Sequence, residues 1–294
     1  MREPTRPGEQ SPDLTSVAST DQVTVAVHDL GEPDGAPVLL AHATGFHGMV
    51  FAPLARRLTG YHGIAPDLRG HGDTPPPVGR GLDWNGFVDD VLAVVDARDL
   101  APLVGVGHSK GGASLLLAEQ RRPGTFRALY LYEPVVMPDD GAVPAPDRQS
   151  NPLAAGARKR RDRFASFDEA YENFRSKPAF AAFDPEALHA YVDHGFALEP
   201  DGGVRLKCRP EIEAQTYEMA TEHDAFRRLA EVRCPVTVAA GSSSEFGPAM
   251  FAPAIAAGLP HGHLLTFDDL GHFGPLEDPA RIAASILDAF ATAG

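Results

Sequence analysis

Residues Val104–Gly112 read V-G-V-G-H-S-K-G-G. An apolar run, Leu103–Val106, enters Gly107-His108-Ser109-Lys110-Gly111, and a helix-compatible stretch, Ala113–Ala118, leaves it. A G-x-S-x-G pattern between a predicted strand and a predicted helix demands a sharp turn, and the glycines leave room for its strained backbone. Such a turn holds the serine Oγ out in a cleft with a helix N-terminus behind it. Ser109 is therefore the candidate nucleophile; the bland alternative is a structural loop serine.

The rest of the chain fits that unit. Strand candidates rich in Val, Leu, Ile and Tyr fall at Val23–His28, Pro37–His42, Tyr61–Pro66, Pro102–Gly107 and Ala128–Tyr132. Helical segments lie between them. Met49–Leu58 is one, and Trp84–Ala97 is another, with Phe87, Val91, Val94 and Val95 on one face. The alternation predicts a mostly parallel, doubly wound sheet with helices on both sides. From Val135 the rhythm breaks. A Pro- and Asp-rich loop, Met137–Gln149, leads into helical patches at Leu153–Phe164, Phe167–Ser176 and Pro185–Phe196. Leu198–Cys208 carries the turn signal Asp201-Gly202-Gly203. Strand patterns resume at Pro235–Ala240 and His263–Phe267, and a helix at Pro279–Ala291 follows. The expected division is a disordered tail over 1–20, a core of 21–134 and 224–294, and a mainly helical insertion over 135–223.

Composition narrows the function classes. The 294 residues carry a net charge of −14, which argues against a nucleic-acid binder needing a basic face for phosphates. Two cysteines, Cys208 and Cys234, are too few for a disulfide scaffold or a cysteine zinc site, and read as free thiols of a reducing compartment. No segment reaches the roughly 18 apolar residues of a membrane span, and Met1–Gly8 lacks the apolar stretch of a signal peptide. The expectation is a cytoplasmic protein acting on a small molecule, with no nucleic-acid or membrane partner. A homodimer is compatible with this reading.

A serine hydroxyl needs a base, and the base needs an orienting acid. His272, in Asp268-Asp269-Leu270-Gly271-His272-Phe273 after the last predicted strand, is the best placed of the 12 histidines in chain order. Two backbone N–H groups should form an oxyanion hole. One is that of Lys110, at the helix N-terminus, whose side chain is expected to point to solvent. The other should come from His42-Ala43-Thr44-Gly45-Phe46-His47-Gly48. Phe46 is the preferred donor there, with Thr44 and Gly45 as alternatives.

These motifs resemble those of the α/β-hydrolase fold carrying an inserted cap. His42–Gly48 is similar to that family's HG-type oxyanion loop, with Ala43-Thr44 as a departure. Asp67-Leu68-Arg69-Gly70-His71-Gly72 matches its D-x-R-G-H-G turn, which has a structural role beside the site. Gly107–Gly111 matches its nucleophile elbow, and Gly271-His272 its base loop. The resemblance covers roughly residues 23–134 and 225–292. It implies a serine hydrolase of esterase type with a Ser-His-acid triad. It also implies an Asp three residues after the glycine ending the strand Pro235–Ala240. Gly241-Ser242-Ser243-Ser244-Glu245 puts Ser244 there, and a hydroxyl cannot stabilise an imidazolium. Glu245 could serve if the loop shifts by one. Glu133, at the end of the preceding core strand, is preferred, because strand ends are held more rigidly than loops and some members of the superfamily carry their acid there.

Other signals fail. H-E-x-x-H is absent, and His261-Gly262-His263 reads as a surface turn, so no metal is expected. No Gly-rich segment fits a nucleotide loop, so no cofactor is expected either. The basic run Arg158-Lys159-Arg160-Arg161-Asp162-Arg163 reads as a solvated helix face, or else as a lure for an anionic substrate. Phe164, Phe167, Phe174, Phe180, Phe183 and Phe196 read as the insertion's own core, one or two of them lining an acyl pocket. The reading is hydrolysis of an ester, thioester, lactone or similar carbonyl compound. Carbon–carbon bond hydrolysis, perhydrolysis and a non-catalytic receptor of the same fold are the alternatives.

Overall fold

The computed structural model describes residues 14–138, 151–242 and 247–292. Strands β1 (Leu14–Ala18), β2 (Thr24–Gly31) and β3 (Ala36–Ala41) come first. They are followed by α1 (Ala52–Ala55), β4 (Tyr61–Pro66), α2 (Trp84–Ala97), β5 (Leu103–His108), α3 (Lys110–Arg121) and β6 (Phe126–Tyr132). An excursion then runs through α4 (Pro152–Arg158), β7 (Arg163–Phe164), α5 (Phe167–Arg175), α6 (Pro185–Gly195), β8 (Phe196–Leu198), β9 (Val204–Leu206) and α7 (Pro210–Glu218). The chain returns through β10 (Val236–Gly241), α8 (Ala252–Gly258), β11 (Gly262–Phe267), α9 (Gly274–Glu277) and α10 (Pro279–Ala291).

Eight strands make one sheet in the order β1-β2-β4-β3-β5-β6-β10-β11. From β4 to β11 all neighbours are parallel, and β1 and β2 add an antiparallel edge. β5 is buried along its whole length, as expected of a strand covered on both faces. One face packs on α2, α3 and α8 through Phe87, Val91, Leu115 and Ile255. The other packs on α1 and α10 through Leu54, Ile282, Ile286 and Phe290. The helices start where the local chemistry says they should. Asp83 caps α2 by accepting from the Gly86 amide at 2.8 Å, and Asp278 caps α10 ahead of Pro279. The chain leaves β3 for β4 on one side and reaches β5 on the other. Such a reversal opens a crevice at the carboxyl ends of the strands. The loops after β3, β5 and β6 all empty into it.

Several expectations are corrected. Leu14–Ala18, assigned to a disordered tail, pairs with β2 as an ordered strand. Met49–Leu58 is not one helix but a 3-10 turn followed by the short α1, with Pro53 at its start. His261-Gly262-His263 is not a free turn, because Gly262 and His263 begin the edge strand β11. The helix expected over Leu153–Phe164 stops at Arg158, and Arg163–Phe164 joins a small three-stranded sheet with β8 and β9. The turn signal at Asp201-Gly202-Gly203 is the bend of that β8–β9 hairpin, with Gly202 at φ +88°.

Candidate active site

Ser109 sits between β5 and α3 with φ 54° and ψ −116°. A non-glycine residue held in such a region costs about 1–3 kcal/mol. The surroundings over-determine it. The Ser109 amide donates to the Tyr132 carbonyl at 3.0 Å, and the Ser109 carbonyl accepts from Ala113 and Val135. A Cβ on Gly111 would run into the Ala41 carbonyl, and one on Gly107 would run into Gly112. These glycines are required by close backbone approach. The Ser109 Oγ caps no helix amide, and the residue is 6% exposed.

The Lys110 side chain does not point to solvent. It is 1% exposed, folded back beneath the crevice. Its Nζ lies 3.4 and 3.5 Å from the two ring nitrogens of His71 and 4.6 Å from the Phe87 ring centroid. Residues 67–72 and α2 enclose it, so the four-carbon stem packs instead of extending. Burial lowers its pKa to about 7. In the unfolded chain the amine keeps its proton to about pH 10. Between these values the unfolded chain binds more protons, so this group makes stability rise with pH across that window. Lys110→Met is therefore expected to melt higher than the parent by roughly 5 °C at pH 6. That gap should close toward pH 10. Thermal melts across this range check it, and a gap independent of pH would contradict the burial cost.

His272 and Glu133 are brought into direct contact. His272 Nδ1 and Glu133 Oε2 are 2.6 Å apart. A carboxylate only accepts, so Nδ1 carries the proton and the Nε2 lone pair is left for a base's work. Glu133 follows β6 with φ 43° and is 0% exposed. Its amide donates to the Ala239 carbonyl at 2.8 Å, and its Oε1 accepts from the Gly241 amide at 3.0 Å. The base loop is pinned on three sides. Tyr132 Oη donates to the Gly271 carbonyl at 2.7 Å, and His108 Nε2 donates to the His272 carbonyl at 2.8 Å. Glu277 accepts from the amides of Gly271 and Phe273. Ser109 Oγ and His272 share no hydrogen bond; such contacts are often loose before substrate binds. Ser244 and Glu245 lie outside the described residues. The pinning residues Tyr132, His108 and Glu277 carry no sequence signal of their own, because each meets a partner chosen by the fold.

The loop after β3 is organised from below. His42 Nδ1 donates to the Ala43 carbonyl at 2.8 Å, and its Nε2 accepts from the Leu68 amide at 2.9 Å. Asp67 accepts from the amides of Gly48 and Asp73 and from His28. His28 above all, with His47 and His42 near by, holds its carboxyl far below the usual range despite burial. Arg69 forks onto Asp90. The Asp67–Gly72 turn is thus structural support, as the motif implies. The Phe46 amide donates to the Ala43 carbonyl at 3.3 Å, a long bond. Gly45, at φ +81°, passes so close to Glu213 that a Cβ would lie 2.8 Å from its Oε1.

The excursion between β6 and β10 covers this loop. Phe180 and Phe183 face Phe46 at 6.5 and 6.2 Å between ring centroids, and Phe183 faces Phe273 at 5.3 Å. They form an apolar wall over the β3 and base loops. Phe164, Phe174 and Phe196 pack on one another, and Phe174 meets Phe180 at 5.1 Å, so the insertion's apolar cluster runs on into that wall. The basic run divides. Arg158, Arg161 and Arg163 are exposed and paired with Glu211, Glu169 and Glu199. Arg160 turns inward and pairs with Glu213 and the Tyr191 hydroxyl. A cleft of about 760 Å³ lies elsewhere, between α2, α3 and residues 221–228, and shares no residue with this cluster. Among the described residues no helix is long and apolar enough to cross a membrane.

A model of the alpha/beta hydrolase family matches residues 38–285, from β3 into α10. With the sheet, the elbow and the base loop in that order, the chain belongs to this family. In particular it is similar to Lipase LipV of Mycobacterium tuberculosis, with 29% identity over 279 residues, 90% of this chain and 97% of the relative. It is also similar to Lipase 1 of Psychrobacter immobilis, with 25% identity over 287 residues, 93% of this chain and 84% of that protein. The crystal structure of E-2-(acetamidomethylene)succinate hydrolase superposes with a TM-score of 0.79 at 21% identity, covering 95% of this chain and 99% of that one, a likeness of fold.

Proposed function

We propose that the protein is a serine hydrolase cleaving an ester or a related small carbonyl compound through an acyl-enzyme. Ser109 Oγ attacks the carbonyl while His272 Nε2 takes its proton. Glu133 steadies the imidazolium that forms, and the amides of Lys110 and Phe46 receive the oxyanion, Phe46 releasing its long bond to Ala43. His272 returns the proton to the leaving group, and the Ser109 ester forms as the alcohol or thiol departs. Water, activated by the same imidazole, then attacks the acyl carbon and frees the acid and Ser109.

The observation that carries this reading is the 2.6 Å contact between His272 Nδ1 and the fully buried Glu133 carboxylate. A buried charge aimed at an imidazole stabilises its cation far more than a solvated one would. Ser244 at the expected acid position would suit a non-catalytic receptor; the Glu133 carboxylate at the His272 imidazole favours catalysis over that alternative. Two lipases among the relatives agree with ester chemistry. The aromatic wall of Phe46, Phe180, Phe183 and Phe273 suits an apolar substrate portion. A fluorophosphonate probe should add covalently to Ser109, as read by peptide mass analysis. A folded protein that takes up no probe would overturn the mechanism.

A further inference from the structure

We infer that the inward-turned Arg160–Glu213 pair of the insertion positions the oxyanion loop, so that the hole is complete only with the insertion seated on that loop. The inference rests on the serine-hydrolase reading, in which the Phe46 amide is an oxyanion donor. It adds Arg160, Glu213 and Tyr191 as positioning residues that never touch the reacting atoms.

The insertion grips the loop after β3 at three consecutive residues. Gly45 passes α7 so closely that a Cβ on it would lie 2.8 Å from Glu213 Oε1 and 3.5 Å from Arg160 Nη1. The Phe46 ring meets the ring of Tyr191, on α6, at 5.0 Å between centroids. His47 Nε2 donates to the Tyr191 carbonyl at 3.1 Å, and the two rings stack at 6.2 Å. These contacts are joined to one another. Arg160 donates through Nη1 to Glu213 Oε2 and through Nη2 to the Tyr191 hydroxyl. One connected set of side chains therefore runs from α7, through the segment after α4, to α6, and both of its ends rest on the oxyanion loop.

Stability alone does not account for this pair. The Arg160 and Glu213 side chains are only 13% and 8% exposed. Taking two charges out of water is costly, and apolar residues of the same volume stabilise as well or better in many proteins. Arg158, Arg161 and Arg163, from the same run, meet their carboxylates at the surface. What the buried pair supplies is fixed geometry, because a guanidinium and a carboxylate meet in few orientations. The fixed carboxylate lies against Gly45, which at φ +81° carries no side chain to keep its own distance. Glu213 thus limits where the loop runs, one residue before the Phe46 amide. A catalytic donor misplaced by about 1 Å loses roughly 100-fold in rate.

Glu213→Gln is expected to lower kcat for p-nitrophenyl butyrate by roughly 10- to 100-fold, with KM within about threefold of the parent. The decisive readout is the inhibition constant of a short alkyl trifluoromethyl ketone. Ser109 Oγ adds to the ketone carbon, its proton passes to His272, and the carbonyl electron pair moves to oxygen as an oxyanion in the hole. That constant should rise by about the same factor as kcat falls. Loss of folded enzyme lowers kcat but cannot change an inhibition constant, so the ketone separates positioning from misfolding. Glutamine leaves the Arg160 charge unpaired, so a second protein carries Arg160→Met and Glu213→Leu together, removing both charges at similar volume. It should melt within about 4 °C of the parent and still bind the ketone at least about tenfold more weakly. Glu211→Gln, which removes an exposed partner of Arg158 from the same helix, should leave kcat and ketone affinity within about twofold. Parental ketone affinity in Glu213→Gln or in the folded double variant overturns the positioning role alone. A parent protein that neither hydrolyses the ester nor binds the ketone overturns the hydrolase reading, and this inference with it.

Discussion

Ser109→Ala is expected to lower kcat for short p-nitrophenyl esters by roughly 10⁴- to 10⁶-fold, the loss seen when a serine nucleophile is removed from a working triad. The physical argument is that Oγ is the only atom of the side chain with a job. It caps no helix amide, and the turn is held by backbone bonds to Tyr132, Ala113 and Val135. Alanine fills the same φ 54° position with one atom fewer, so the strain there neither rises nor falls. Tm should stay within about 2 °C of the parent, the scale of a change below 1 kcal/mol in a chain this size. Steady-state kinetics alongside thermal melts read both quantities. Turnover kept above a tenth of the parent value would remove Ser109 from the mechanism.

Glu133→Gln carries the second largest effect, a loss of about 10³- to 10⁴-fold in kcat with KM nearly unchanged. Glutamine has the same shape as glutamate, and its carbonyl oxygen can still accept from His272 Nδ1 or from the Gly241 amide. It cannot supply the negative charge that steadies the imidazolium in the transition state. Because Glu133 is 0% exposed, no water substitutes for that charge. Glu245→Gln should leave kcat within about twofold, as expected of a change outside such machinery. A collapse of activity in Glu245→Gln with Glu133→Gln intact would transfer the acid's role to Glu245.

The parts legible in the sequence are those set by short-range rules. Trp84–Ala97 matches the helix that its apolar spacing predicts, residue for residue. Alternation of β-rich runs with helical segments announces the parallel sheet, and the glycines around Ser109 announce a turn that only a close backbone approach requires. Leu14–Ala18 was not legible, because a five-residue edge strand that buries only Val17 is stabilised by its partner and leaves too short a pattern to read. The β7-β9-β8 sheet escaped for the same reason: two or three residues per strand leave no period to read.

Lys110 shows the limit most clearly. A lysine after Ser109 reads as solvent-facing, since lysine is rarely buried. Whether it is depends on where the 67–72 turn, α2 and Cys208 close over it, and those come from distant parts of the chain. Likewise, the residue types and their order along the chain determined the α/β architecture, the elbow at Ser109 and a short set of carboxylates from which an acid could come. Only the tertiary structure decided that Glu133 meets His272, that Tyr132, His108 and Glu277 pin the base loop, and that the cation beside the serine is buried. Backbone turns and helices are set by neighbours a few residues away. A hydrogen bond between side chains 139 residues apart is set by how the sheet stacks β6 against β10 and brings the loop after β11 over them.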